Sequence, residues 1–135
     1  TKILMNILFL CTQNSARSIM AESILNSMNL KDFIGYSAGS MPSGVINEKA
    51  IKILKENNIY TENLYSKSID DVLNKGTKID ILITLCSSAK KEGCPTLSEN
   101  IKSVHWDLDD PIEYNDFEKI FIDLSYLIKE FTSSN

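Results

Sequence analysis

A cysteine and the only arginine of the chain stand six positions apart, Cys11 and Arg17, with Thr12, Gln13, Asn14, Ser15 and Ala16 between them and Ser18 directly after. Of 14 basic residues the other 13 are lysine. The lone guanidinium therefore stands where a planar fork of donors matters: it grips a tetrahedral oxyanion at two points and stays charged at any working pH. A cation and a helix start beside a thiol favour the thiolate, the nucleophilic form. Ser18 is placed to give that sulfur a hydroxyl donor. A cysteine taken alone is more often a small buried hydrophobe; loop, helix start and arginine together favour the nucleophile here.

Two further thiols follow, Cys86 and Cys94, separated by the polar stretch Ser87-Ser88-Ala89-Lys90-Lys91-Glu92-Gly93. Lys90 and Lys91 can favour the thiolate of either one, and the segment between them suits thiol exchange, because a disulfide requires α-carbons within about 7 Å. A third group of interest is His105-Trp106-Asp107-Leu108-Asp109-Asp110-Pro111. An acid on a loop over an anion site can supply the proton that a departing oxygen needs. His105 is expected to pack or cap. A zinc site built on it and the thiols lacks the usual close cysteine pair, so no metal is expected.

The elements that must position these groups follow from periodicity. Ile7-Leu8-Phe9-Leu10 is a continuous apolar run, as in a parallel strand covered on both faces. Ala16, Ile19, Met20, Ile24, Leu25 and Met28 form one helical face, with Asn14 and Ser15 as suitable N-cap types. A strand is expected near Phe33 to Ser37, then a turn through Gly39 to Gly44. A helix carries Ile46, Ala50, Ile53 and Leu54, and a shorter one carries Ile69, Val72 and Leu73 and ends at Gly76. Ile79 to Leu85 and Ser103 to Trp106 are the remaining strands. Phe117, Ile120, Phe121, Leu124, Ile128 and Phe131 mark the last helix. This alternation predicts an α/β fold, a doubly wound three-layer sandwich. Ligands bind such sheets at the carboxyl ends of the strands, where both Cys11 and Cys86 fall.

At 135 residues and a net charge of -4 the chain fits one domain over residues 1–135, with no nucleic acid as partner. No apolar run is long enough to span a bilayer and no signal pattern opens the chain. Three cysteines without a signal point to a reducing, cytoplasmic setting.

Taken together these residues resemble the low-molecular-weight protein tyrosine phosphatase fold, through Cys11-x5-Arg17-Ser18 and Asp110-Pro111. Thr84-Leu85-Cys86-Ser87, Cys94-Pro95 and His105-Trp106 are similar to its thioredoxin-coupled arsenate reductase branch. The resemblance covers essentially the whole chain. It implies a four-stranded parallel sheet and a monomer that binds no cofactor and draws electrons from reduced thioredoxin. It also implies roles. Cys11 attacks arsenate held by Arg17 and the loop Thr12 to Ser18, with phosphate or sulfate as competing oxyanions. Asp110 protonates the leaving oxygen, Cys86 forms a disulfide with Cys11 as arsenite leaves, and Cys94 resolves it for thioredoxin. The stretch from Cys86 to Cys94 is one residue longer than in the best-known members, which implies a local bulge. Some members bind potassium through residues matching Asn14, Glu22, Ser37 and an aspartate. The last position is Lys67 here, whose ammonium can take the cation's place and pair with Glu22, so no potassium requirement is expected.

The competing reading is a phosphatase acting on phosphotyrosine through Cys11, Arg17 and Asp110 alone. Phosphatases of this fold typically carry an aromatic residue after Asp-Pro, whereas this chain has Ile112, and Cys86 and Cys94 would have no task. A phosphocysteine carrier would need neither Arg17 nor Asp110. A non-catalytic oxyanion-binding or redox-sensing module is the remaining class.

Overall fold

The computed structural model describes residues 3–85 and 101–134. Among these residues the elements in chain order are β1 (Met5–Cys11), α1 (Arg17–Ser27), β2 (Phe33–Gly39), α2 (Glu48–Glu56), α3 (Ile69–Leu73), β3 (Ile81–Thr84), β4 (Lys102–His105) and α4 (Tyr114–Ser134). All neighbouring strands are parallel and lie in the order β2-β1-β3-β4. The chain steps from β1 to one side and then crosses back to β3 on the other. The carboxyl ends of β1 and β3 therefore flank the topological switch point, where such sheets open a crevice.

The apolar run of β1 is explained by its cover on both faces. Ile7 and Phe9 join a core with Met20, Leu25, Leu54, Ile83, Phe117 and Leu124, while Leu8 and Leu10 pack with Ala38, Ile69, Val72 and Leu82. Residues two apart share a face of a strand, so one four-residue run supplies both cores. The first core lies under α1, α2 and α4, and the second lies under α3. Trp106 extends the first, its ring centroid 6.2 Å from Phe9 and 6.1 Å from Phe131. These are the three layers expected. The elements run slightly longer or shorter than the periodicity indicated: β2 reaches Gly39 and α4 begins at Tyr114.

Helix starts depend on caps. Asn47 accepts the Lys49 N–H at the start of α2, and Ser68 and Asp71 form a reciprocal capping box at α3. Gly76, at φ +82°, follows α3 in the left-handed region that favours glycine. The exception is α1. Its N-cap is Ala16, with no side-chain bond, against the expectation for Asn14 or Ser15. The Asn14 side chain is engaged elsewhere, and among the described residues no side chain caps the first amides of α1.

Candidate active site

Cys11 ends β1 and pairs in register with Gly39 of β2. From there to Arg17 the chain forms a loop whose carbonyls are tied outward. Cys11 O accepts from Ser40 N at 3.1 Å, Thr12 O from Met41 N at 2.8 Å, Gln13 O from Ser43 N at 3.0 Å and Ser15 O from Asn47 N at 2.9 Å. In a trans peptide the N–H opposes its C=O, so these ties turn the following amides toward the other side. One of them shows the consequence directly: Asn14 N–H donates to Cys11 Sγ at 3.3 Å. The loop can lie this close only because residue 39 is glycine. A Cβ there would stand 2.6 Å from Thr12 O and 2.9 Å from Asn14 N.

Two fully buried side chains serve the sulfur. Asn14, at φ 50°, donates its amide to Ser18 Oγ at 2.7 Å, and Ser18 Oγ lies 2.8 Å from Cys11 Sγ. Ser18 Oγ accepts from Asn14 and keeps its own proton, which it can give to the sulfur. A left-handed backbone is tolerated by asparagine better than by most residues. The Asn14 and Ser18 side chains, both fully buried, therefore lie behind the loop.

On the other side of the loop lies a cavity of about 170 Å³ lined by Cys11, Thr12, Gln13, Ser15, Ala16, Arg17 and Asp110. Cys11 is 3% exposed. Arg17 donates from Nη1 to Leu108 O at 2.8 Å, and its Nη2 lies 3.5 Å from Asp110 Oδ1. These contacts bind the loop after β4 to the start of α1 and bring Asp110, 99 positions from Cys11 in sequence, to the same cavity as the thiol. His105 is held at the β3–β4 pair, its Nδ1 2.7 Å from Thr84 Oγ1 and its Nε2 3.8 Å from Asp107.

Behind the loop, Lys67 is 6% exposed. Its Nζ reaches Glu22 Oε1 at 3.3 Å, Ser37 Oγ at 3.1 Å and the Tyr65 carbonyl at 3.1 Å. Ser37 Oγ also donates to Glu22 Oε1. The Lys67 backbone N–H donates to Asn14 Oδ1 at 2.8 Å. Glu22, Ser37, Lys67 and Asn14 thus form one continuous network ending at the Cys11 sulfur. Cys86 and Cys94 lie outside the described residues. Leu85, directly before Cys86, donates its N–H to Leu10 O at 2.9 Å, next to Cys11.

Sequence reasoning missed three supports of the site. Gly39, Ser66 (its Oγ donates to Gln13 O at 3.1 Å) and the Leu108 carbonyl act through backbone contacts. Only the cluster of turn residues from Gly39 to Gly44 signalled a segment with work to do near the loop.

The model of the low molecular weight phosphotyrosine protein phosphatase family matches residues 6–134. An arsenate reductase of Staphylococcus xylosus is 39% identical over 127 residues, covering 93% of this chain and 94% of that protein. Among solved structures, a low molecular weight protein tyrosine phosphatase from T. tengcongensis superposes with a TM-score of 0.84 at 26% identity, covering 97% of this chain and 99% of the other. A thioredoxin-dependent arsenate reductase from Corynebacterium glutamicum superposes with a TM-score of 0.73 at 25% identity, over 98% of this chain and 64% of that one.

Proposed function

The chain belongs to the low molecular weight phosphotyrosine protein phosphatase family, and from that premise we propose that it is an enzyme that reduces arsenate to arsenite through a relay of three thiols. The observation that carries the reading is the convergence of Cys11, Arg17 and Asp110 on one small polar cavity. Its size suits a bare tetrahedral oxyanion. The relatives named arsenate reductase support arsenate as that oxyanion, and the Corynebacterium protein supports thioredoxin as the electron donor.

Loop amides and the remaining Arg17 donors hold arsenate against Cys11. The Cys11 thiolate attacks arsenic while an arsenic–oxygen bond breaks, and Asp110 gives its proton to the departing oxygen, which leaves as water. The Cys86 thiolate then attacks Cys11 Sγ. A sulfur–sulfur bond forms, the arsenic–sulfur electron pair stays on arsenic, and arsenic(III) departs as arsenite. Cys94 attacks Cys86, releasing the Cys11 thiolate and leaving a Cys86–Cys94 disulfide, which the thioredoxin dithiol reduces. Two electrons enter and two reach arsenic. A reducing compartment such as the cytoplasm suits this cycle, and among the described residues no helix is long and apolar enough to cross a membrane.

The test is NADPH oxidation with arsenate, thioredoxin and thioredoxin reductase, for the native chain and for Cys94→Ser. Sustained turnover by the native chain, with at most one equivalent of arsenite from the variant, supports the relay. Hydrolysis of an aryl phosphate by both, without arsenate-dependent oxidation, would replace it with the phosphatase reading. That second reading has its own support in the same Cys11, Arg17 and Asp110 geometry and in the T. tengcongensis phosphatase.

A further inference from the structure

Asp116 stands exposed in the first turn of α4, and no step above uses it. Its Oδ2 accepts two backbone N–H bonds, from Ile112 at 3.1 Å and from Glu113 at 2.9 Å. Proline has no N–H, so these are the first two amide donors that follow Asp110-Pro111. On its other side the same loop is fixed by Arg17 Nη1 on Leu108 O at 2.8 Å and by Leu108 N on Leu85 O at 3.2 Å. Asp110 is thus suspended between two anchors, one at Leu108 two residues before it and one at Ile112 and Glu113 two and three residues after it. One anchor is the oxyanion-loop arginine, and the other is the Asp116 carboxylate.

We propose that Asp116 is a second positioning residue for Asp110, beside Arg17: by clamping the Ile112 and Glu113 amides it fixes the arm of the loop that follows the Asp110 carboxyl at the mouth of the Cys11 cavity. The inference rests on the reading of Asp110 as the proton donor. An exposed carboxylate in a first helical turn is ordinarily a contribution to helix stability. Here both of its amide partners belong to the residues between Pro111 and the helix, so the same bonds that start α4 also set the direction of the loop.

The electrostatics suit the task. A proton donor works while protonated, toward acidic pH, and a clamp that let go there would fail when needed. The backbone N–H bonds from Glu113 and then Ile112, with Lys119 nearby, hold the Asp116 carboxyl below its ordinary value. It therefore stays ionised, and keeps both bonds, to lower pH than an unassisted carboxyl would. The other charged groups facing this cleft of about 330 Å³ are Asp107, Asp109, Asp110, Lys119 and Asp123, with Lys119 paired to Asp123 at 3.6 Å.

The experiment measures arsenite formed in a single turnover of the pre-reduced protein, across arsenate concentrations and from about pH 5 to 8. It compares the native chain with Asp116→Ala, Asp116→Asn and Asp110→Asn. Asp116→Ala is expected to lose about tenfold in maximal rate, a part of what a positioned acid contributes, with the same half-saturating arsenate and a flattened pH dependence approaching that of Asp110→Asn. Asp116→Asn keeps an oxygen that accepts both bonds and is expected within about twofold of native. A native rate in Asp116→Ala beside a slow Asp110→Asn overturns the clamp and leaves the role of Asp110 standing. Equal losses in Asp116→Ala and Asp116→Asn, or a change confined to half-saturation, also overturn it, since charge or binding would then be the cause. A native rate in Asp110→Asn, or no arsenite from the native chain, overturns the underlying reading and this inference with it.

Discussion

Replacing Lys67 by methionine keeps most of the aliphatic stem and removes the ammonium that Glu22, Ser37 and the Tyr65 carbonyl surround. The three donors of that ammonium have three acceptors at 3.1 to 3.3 Å. The Lys67 and Glu22 side chains are only 6% and 14% exposed. At 3.3 Å and an effective dielectric of about 20, the direct attraction is about 5 kcal/mol. Removing one partner of a pair this buried leaves the other charge uncompensated, for an expected loss of about 3–5 kcal/mol. That is a large share of the roughly 5–15 kcal/mol that holds a domain folded. Urea unfolding reads it: at a slope near 2 kcal/mol per molar, the midpoint falls by about 2 M. The double variant Lys67→Met with Glu22→Gln removes both charges and should regain at least about half of the loss, because the penalty lies in the unpaired carboxylate and not in missing volume. A Lys67→Met midpoint within about 0.5 M of native would refute the reasoning, since the pair would then contribute no more than an exposed one. So would a double variant less stable than Lys67→Met alone.

Three further outcomes follow from the same geometry. Gly39→Ala places a Cβ 2.6 Å from Thr12 O and 2.9 Å from Asn14 N, so the loop must shift. Affinity for phosphate or sulfate, measured by calorimetry, should fall at least about tenfold, and the thermal midpoint should fall with it, because backbone and not a flexible side chain must give way; unchanged affinity would show that the loop yields at no cost. With Lys67 occupying the centre of the Glu22 and Ser37 cluster, turnover in potassium chloride should match turnover in sodium chloride at equal ionic strength, and a large activation by potassium would contradict this. The backbone and side chain of Ser68 hold Asp71 below its ordinary carboxyl value of 3.8. A folded value lower than the unfolded one contributes stability that is present above 3.8 and is lost as pH falls through the folded value. Asp71→Asn should therefore lower the urea midpoint at neutral pH and flatten its decline in acid, and parallel acid limbs in the two proteins would argue against it.

The fold was legible in the sequence because each element announces itself locally. Ile7 to Leu10 has no polar residue to face water, and the Phe117 to Phe131 pattern has a helical period. The site was legible where a residue type is scarce or chemically committed: the one arginine, the cysteine before it and the Asp-Pro pair. What sequence conceals is contact made by backbone. Gly39 matters because of the carbonyl it lets come near, and Leu108 acts through its carbonyl, so a change of side chain alone at Leu108 would leave that contact in place. The misplaced cap has the same origin. Asn14 has the right side chain for an N-cap, but a left-handed backbone and the Lys67 amide draw it into the network behind the sulfur.

That misplaced cap explains how the site can hold an anion. A helix capped by its own asparagine has already satisfied the amides that an oxyanion would use. In this chain Asn14 is turned inward to Ser18 and Lys67, and the position beside α1 falls to Ala16, which has nothing to offer as an acceptor. The first amides of α1 and the inward-facing amides of the loop are thereby left open to the proposed oxyanion. The loop would pay for this exposure in stability if it stood alone. It does not stand alone: its carbonyls are bound by the segment from Ser40 to Asn47, its back by the Lys67 cluster, and its arginine by Leu108. A residue missing from the cap is what leaves the site open, and the packing around the loop is what allows it to be missing.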